Sequence, residues 1–104
     1  EADRVAAILN KINPKLKGNE FLSLFGAVSM MHFVEGAKNA GKDLTRESLI
    51  KGMEMIKNWK PEGMGAPVTY SPNRHNGANA VWLQVAEGGK HKPVMTYVEF
   101  PPKF

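Results

Sequence analysis

The first residues of the chain place apolar side chains at helical spacing. Between residues 2 and 12 they recur every three or four positions, with Asp3 near the start and Lys11 near the end, as the helix dipole favours. Asn13-Pro14 ends this segment, because the residue before a proline is pushed out of the helical region. The pattern predicts a short amphipathic helix, followed by a polar connector over residues 14–19. Its apolar residues are Val5, Ile8, Leu9 and Ile12.

A second helical segment, residues 21–40, is apolar almost all round. A helix of this kind is buried on most of its sides, so we expect neighbours around it. Gly26 and Gly36 in its interior each cost about 1 kcal/mol relative to alanine, which predicts that something packs closely against them. Gly41 supplies the stop, because a glycine suits the left-handed residue that follows a helix.

A third helix is predicted from Thr45, a good N-cap residue, to about Lys57. Glu47 lies in its first turn, where the helix dipole favours an acid. Residues 59–67, which contain Pro61, Gly63 and Gly65, form a predicted loop with fixed turns. The predicted buried stripe of the helix consists of Leu49, Ile50, Met53 and Ile56.

The remainder of the chain changes from helical spacing to short β-branched and aromatic runs. Residues 68–70, 78–86 and 94–100 are strand candidates, with a turn-rich stretch at 71–77 and a hairpin turn at 87–90. Pro101 and Pro102 prevent further ladder bonding. The sequence therefore predicts an α/β chain in which three helices precede a small antiparallel strand unit.

Length and composition permit a modest core. The chain has 104 residues, of which 42% are hydrophobic, and a chain of this size folds to a surface of about 5,800 Å², which buries about 65% of its unfolded surface. It contains no cysteine, which excludes disulfides and thiolate nucleophiles. The longest apolar stretch, residues 21–34, carries Ser23, Ser29 and His32 and is shorter than a bilayer span, so no membrane-spanning segment is expected.

The charge of the chain is basic, with a formal net charge of +4. The lysines fall in small groups on separate predicted elements, which favours an ordinary solvated surface over a nucleic-acid footprint. We keep nucleic-acid binding by a small basic domain as an alternative function that rests on charge alone. We expect no nucleic-acid partner.

Catalytic motifs are poorly represented. His32 lies in the middle of the apolar helix, where a partnered structural histidine is expected, and His75 and His91 fall in predicted turns far apart in the sequence. No pair of histidines has metal-ligand spacing, and none of the four serines occupies a Gly-x-Ser-x-Gly elbow. We therefore expect no enzyme, no metal and no cofactor.

Aromatic residues give a binding hypothesis more support. Phe21 and Phe25, one turn apart, either present aromatic surface to a ligand near the free amide groups of the helix start or belong to the core. Trp82 and Tyr97 are interpreted as cross-strand packing partners in preference to a stacking platform for bases.

Several stretches together resemble a known family. Residues 25–28 (FGAV) and 37–50 (AKNAGKDLTRESLI) are similar to the late helix pair of periplasmic substrate-binding proteins of the branched-chain amino acid type. Residues 65–77 (GAPVTYSPNRHNG) resemble that family's closing loop, and the last strands follow with a Gly-Lys turn at 89–90. The resemblance covers about residues 19–98. Phe25 stands where members usually carry a tyrosine.

The resemblance implies the C-terminal part of a two-lobed type I periplasmic binding protein. Residues 1–18 would lie in the second lobe, 19–75 in the first, and 76–104 again in the second. Glu20 and Phe21 fall near the position where the family contributes a ligand-binding residue to the cleft, and Leu24 is the alternative within the helical register.

The implied function is that of a solute-binding receptor that captures an amino acid, an amide or an aromatic or aliphatic acid and presents it to an ABC permease. The implied location is periplasmic or extracellular, with a signal peptide in the parent protein. Glu1 does not look like a natural start, so we expect this chain to be a fragment that associates with itself or with a missing N-terminal part. A stand-alone interaction domain derived from the receptor fold is a third alternative.

Overall fold

The computed structural model describes residues 2–61 and 64–100, so the predictions that concern Glu1, Gly63, Pro101 and Pro102 lie outside the described residues. It contains helices α1 (Ala2–Ile12), α2 (Phe21–Ala40) and α3 (Arg46–Glu54) and strands β1 (Ala80–Glu87) and β2 (Lys90–Glu99). A short 3-10 helix, Pro14–Leu16, connects α1 to α2. The predicted fold class, three helices followed by a small antiparallel unit, is confirmed.

Local side-chain chemistry sets the helix ends. The Asn13 side chain accepts a hydrogen bond from the amide of Lys15 at 3.2 Å and so closes the turn that follows α1. Gly41 ends α2 with a φ of 83°, which a residue with a Cβ rarely adopts. Thr45 and Ser48 form a capping box at the start of α3. The side chain of each residue accepts a hydrogen bond from the backbone amide of the other. The predicted cap is confirmed, with Ser48 completing the capping box.

Helix α3 ends at Glu54, three residues before the predicted end at Lys57. The amide of Ile56 turns back to the carbonyl of Met53 at 3.0 Å, and Asn58 has a positive φ of 46°. The chain then pairs Trp59 with Val68 through two backbone hydrogen bonds of 2.9 and 2.7 Å. Val68 therefore takes part in an isolated bridge, and the strand predicted over residues 68–70 is wrong.

Helices α2 and α3 pack against each other through glycines. A Cβ on Gly36 would collide with the side chain of Met53, and a Cβ on Gly52 would collide with the backbone of Gly36 and Ala40. The predicted close packing is therefore confirmed at Gly36. The same prediction is wrong for Gly26, where a Cβ would meet nothing within 4 Å.

The prediction that α2 is buried on most of its sides is also wrong. Leu22, Met30, Phe33 and Val34 are exposed, and Gly36 is the buried residue of the helix. The physical reason is that α1 and α3 cover only part of a helix that is apolar all round. In the predicted stripe of α3, Ile56 is 3% exposed, whereas Ile50 is exposed.

Strands β1 and β2 form a two-stranded antiparallel hairpin. Gly88 and Gly89 have φ values of 59° and 72°, which fits a two-residue turn of type I′ and confirms the predicted hairpin. The register is irregular around Leu83, and Pro93 pairs with Gln84 next to that irregularity. Strand β2 begins at Lys90, four residues earlier than predicted, because residues 90–93 continue the ladder. His91 thus lies in a strand opposite Ala86, and its assignment to a turn is wrong.

The molecule is flat and open, with extents of 49 × 38 × 17 Å. Its radius of gyration is 16.2 Å, against about 13 Å for a compact chain of this length. Its accessible surface is 7970 Å², about 2,200 Å² more than the size of the chain predicts. Among the described residues, the buried apolar side chains are Val5, Ile56, Pro61 and Val68.

Candidate functional site

A largely apolar cavity of about 580 Å³ lies where the first turns of α2 approach the hairpin. Helix α1 contributes Ala2 to it, and the loop after α3 contributes Lys60 and Gly65. We call it the aromatic pocket, because rings from both α2 and the hairpin line it. Its ring-bearing residues are Phe21, Phe25, Trp82 and Tyr97, and its other lining residues are Leu24, Val28, Met64 and Thr96.

The α2 side of the pocket is formed by Phe21 and Phe25. Their spacing of four residues places them on one helix face, and their ring centroids lie 5.0 Å apart at an interplanar angle of 78°. The two side chains are 70% and 60% exposed. The interpretation that both rings belong to the core is therefore wrong for this chain, and the structure favours the alternative that they present aromatic surface.

The hairpin side is formed by Trp82 and Tyr97. Their ring centroids lie 5.9 Å apart, which confirms the predicted cross-strand packing. The Tyr97 hydroxyl donates a hydrogen bond to the carbonyl of Gly65 at 2.8 Å and so attaches the hairpin to the loop after α3. The same pair both packs across the strands and lines the pocket, a combination that the sequence does not indicate.

Lys60 supplies the charge at the pocket. Its ammonium lies 5.3 Å from the centroid of the Tyr97 ring, a cation–π arrangement. Within residues 2–61 and 64–100, no carboxylate forms an ion pair with Lys60. No aspartate or glutamate lies among the described lining residues. The pocket therefore combines an apolar wall with a single positive charge.

Of the predicted ligand-binding residues, Phe21 and Leu24 line the pocket and Glu20 does not. The carboxylate of Glu20 accepts hydrogen bonds from the Asn10 side chain at 2.7 Å and from the amide of Gly18 at 2.9 Å. These bonds, the Asn10 bond above all, hold the pKa of Glu20 below its ordinary value of 4.5. Glu20 thus joins α1 to the start of α2 and positions the helix that carries Phe21 and Leu24.

Two of the three histidines, His32 and His75, have side-chain partners. His32 Nδ1 lies 2.7 Å from the carbonyl of Val28, and its ring contacts Trp59 edge-on at 5.1 Å, so the expectation of a partnered residue is confirmed. His75 Nε2 lies 3.0 Å from a carboxylate oxygen of Glu54, which connects the turn at 71–77 to α3.

Burial raises the pKa of the nearby Tyr70 hydroxyl, because it disfavours the phenolate.

Within residues 2–61 and 64–100, no three acidic, histidine or cysteine side chains form a group that could hold a metal ion. In the same residues, no helix has the length and apolar character needed to cross a bilayer.

Lys60 and Met64 are among the lining residues that sequence reasoning missed. Both lie in the predicted loop after α3, where spacing carries no information about which side chains reach which surface. A basic residue directly after a tryptophan, as in Trp59-Lys60, is the only signal available, and it is too common to identify a site. Their placement depends on the Trp59–Val68 bridge, which joins positions nine residues apart.

The chain matches a model of a known protein family. A family model described as periplasmic binding protein matches residues 1–90 of the chain, which includes all three helices, β1 and the hairpin turn. Searches of curated proteins and of solved structures returned no match.

Proposed function

The chain belongs to the periplasmic binding protein family, and from that premise we propose that it forms part of a receptor that captures a small organic ligand for import. Members of this family are binding proteins, so the proposed chemistry is recognition and release, with no bond made or broken. The aromatic pocket is the observation that carries the proposal. Its volume of about 580 Å³ lies within the range of small-molecule sites, and Phe21 and Leu24, two of the three expected cleft residues, line it.

We place the chain within the family as the branched-chain amino acid type. Residues 25–28, 37–50 and 65–77 support this assignment, because they resemble that type in order and spacing. We also propose the lobe division that the resemblance implies, with residues 1–18 and 76–104 in one lobe and 19–75 in the other. The aromatic pocket is consistent with that division, since it draws its walls from α1 and the hairpin on one side and from α2 on the other.

The proposed mechanism is closure of the two lobes around the ligand, which removes water from the cleft and creates the form that a transporter recognises. The proposed transport partner is an ABC permease, and the proposed location is periplasmic or extracellular. The basic charge of the chain does not support nucleic-acid binding as a second function, because the lysines lie on separate elements. The family match explains the sequence without that function.

The test is a binding screen by thermal shift and calorimetry with amino acids, aliphatic amides, and aliphatic and aromatic carboxylic acids. We expect saturable binding of at least one class at one site per chain. Phe21→Ala should weaken that binding about tenfold, because it removes one ring from the pocket wall.

Phe33→Ala is the matched control. Phe33 is an exposed phenylalanine of the same helix and does not line the pocket. Equal losses in the two variants, or no binding in any class, would contradict the proposed function.

A further inference from the structure

The proposed function leaves the ligand class open, and the charge and lining of the aromatic pocket narrow it. Resting on that function, we propose that the ligand is an aromatic monocarboxylate without an amino group, with its ring between α2 and the hairpin and its carboxylate at Lys60.

The first step of the argument is the shape of the apolar wall. Phe21 and Phe25 approach from α2, and Trp82 and Tyr97 approach from the hairpin. Flat rings on two facing walls match a flat ring in the ligand, since edge-to-face and offset contacts between rings are favourable beyond their buried area. An aliphatic side chain would bury similar area without these contacts.

The second step concerns charge. Lys60 is the cation at the pocket, and no carboxylate of the described residues pairs with it. Lys60 is exposed in the free chain, and where a bound ligand takes water from its ammonium, an anion on the ligand compensates for the lost hydration. A ligand carboxylate provides this anion. Its attraction to the Lys60 ammonium becomes stronger as the dielectric constant around the pair falls. The Tyr97 ring, 5.3 Å from Lys60 Nζ, holds the ammonium near the pocket wall.

The third step excludes the ammonium of an amino acid. Such a group needs a carboxylate or several carbonyl acceptors, and the described lining contains no acidic side chain. An amino acid in this pocket would pair its carboxylate and leave its own cation unpaired near Lys60. The lining thus favours a ligand of charge −1 over a zwitterion.

The experiment uses calorimetry on the full chain with four probes. Phenylacetate carries the ring and the anion, and phenylacetamide is its neutral isostere. Phenylalanine carries an ammonium and one further methylene, and leucine is an amino acid that has a branched alkyl group where phenylalanine has a ring. We expect phenylacetate to bind at least about tenfold more tightly than each of the other three.

Lys60→Met keeps most of the length of the side chain and removes its charge. It should reduce phenylacetate affinity about tenfold and leave phenylacetamide affinity unchanged. Lys51→Met, at an exposed lysine of α3 outside the pocket, is the control that should change neither. Circular dichroism of each variant verifies that it is folded.

The results separate the ligand class from the function. Tighter binding of phenylalanine or leucine than of phenylacetate would overturn the inference and leave the proposed receptor function standing. An unchanged phenylacetate affinity in Lys60→Met would also overturn it, because the anion would then lie elsewhere. Absence of binding by every probe and by every class of the wider screen would overturn both.

Discussion

At the level of single residues, Glu20 connects two helices through its carboxylate. Asn10 of α1 and the amide of Gly18 in the connector both donate to it, and Lys17 lies close enough to add a small favourable charge interaction. These contacts favour the ionised form, so the pKa of Glu20 is lower in the folded chain than the ordinary 4.5 of an unfolded one. Stability and protonation are therefore linked at this residue.

The linkage predicts how stability depends on pH. A depressed carboxyl pKa contributes stability that is fully present above pH 4.5 and is lost as the pH falls through the lower folded pKa. Glu20→Gln removes this contribution, so its melting temperature should fall less between pH 5 and pH 3 than that of the native chain. Thermal melts at half-unit pH intervals measure this, with Glu99→Gln, at an exposed glutamate of β2, as the control for the loss of one carboxylate. Parallel melting curves for native and Glu20→Gln chains would contradict the prediction.

At the level of elements, the glycines of α2 and α3 differ in the space around them that an added methyl group would occupy. Gly52 faces the carbonyl of Gly36 and the amide of Ala40, which are backbone atoms that cannot move aside. Gly36 faces the side chain of Met53, which is flexible. Gly26 lies in the same helix as Gly36 and faces open space. The three positions should therefore respond differently to the same added methyl group.

We expect Gly52→Ala to lower the free energy of unfolding by about 1–3 kcal/mol, because the methyl group overpacks the helix contact. Gly26→Ala should raise it by up to about 1 kcal/mol, because alanine is the better helix former and nothing obstructs its Cβ. Urea unfolding followed by circular dichroism measures both. Equal effects of the same sign at the two glycines would show that α2 and α3 do not pack through Gly52.

Elements with local signals were predicted well from the sequence, and elements that depend on distant pairing were not. The C-terminal end of α2 and the cap of α3 follow from Gly41 and Thr45, whose chemistry acts within a few residues. The end of α3 was misplaced, because the Trp59–Val68 bridge decides it. The same limit applies to the pocket, because the family resemblance indicated Phe21 and Leu24, whereas no local pattern could bring Lys60 to the same surface.

At the level of the whole molecule, the apolar character of α2 and the open shape have one physical consequence. Leu22, Met30 and Phe33 are exposed apolar side chains on one face of α2, and Gly26 lies open between them. The accessible surface of the whole molecule exceeds the expected value by about 2,200 Å², which is of the size that stable protein interfaces bury. Large exposed apolar patches are unusual on monomers and mark surfaces that another molecule covers.

We therefore expect the 104-residue chain, studied alone at micromolar concentration, to associate with itself through this face of α2. Met30→Lys combined with Phe33→Lys should shift the population towards monomer, because charges placed in an apolar interface lose their hydration without gaining partners. Ile12→Lys is the control, since Ile12 is exposed at the end of α1, apart from that face. Light scattering coupled to size exclusion over a tenfold concentration range measures the mass. A cooperatively folded monomer at every concentration would contradict the prediction, because the exposed side chains of α2 would then be stable in water without any partner.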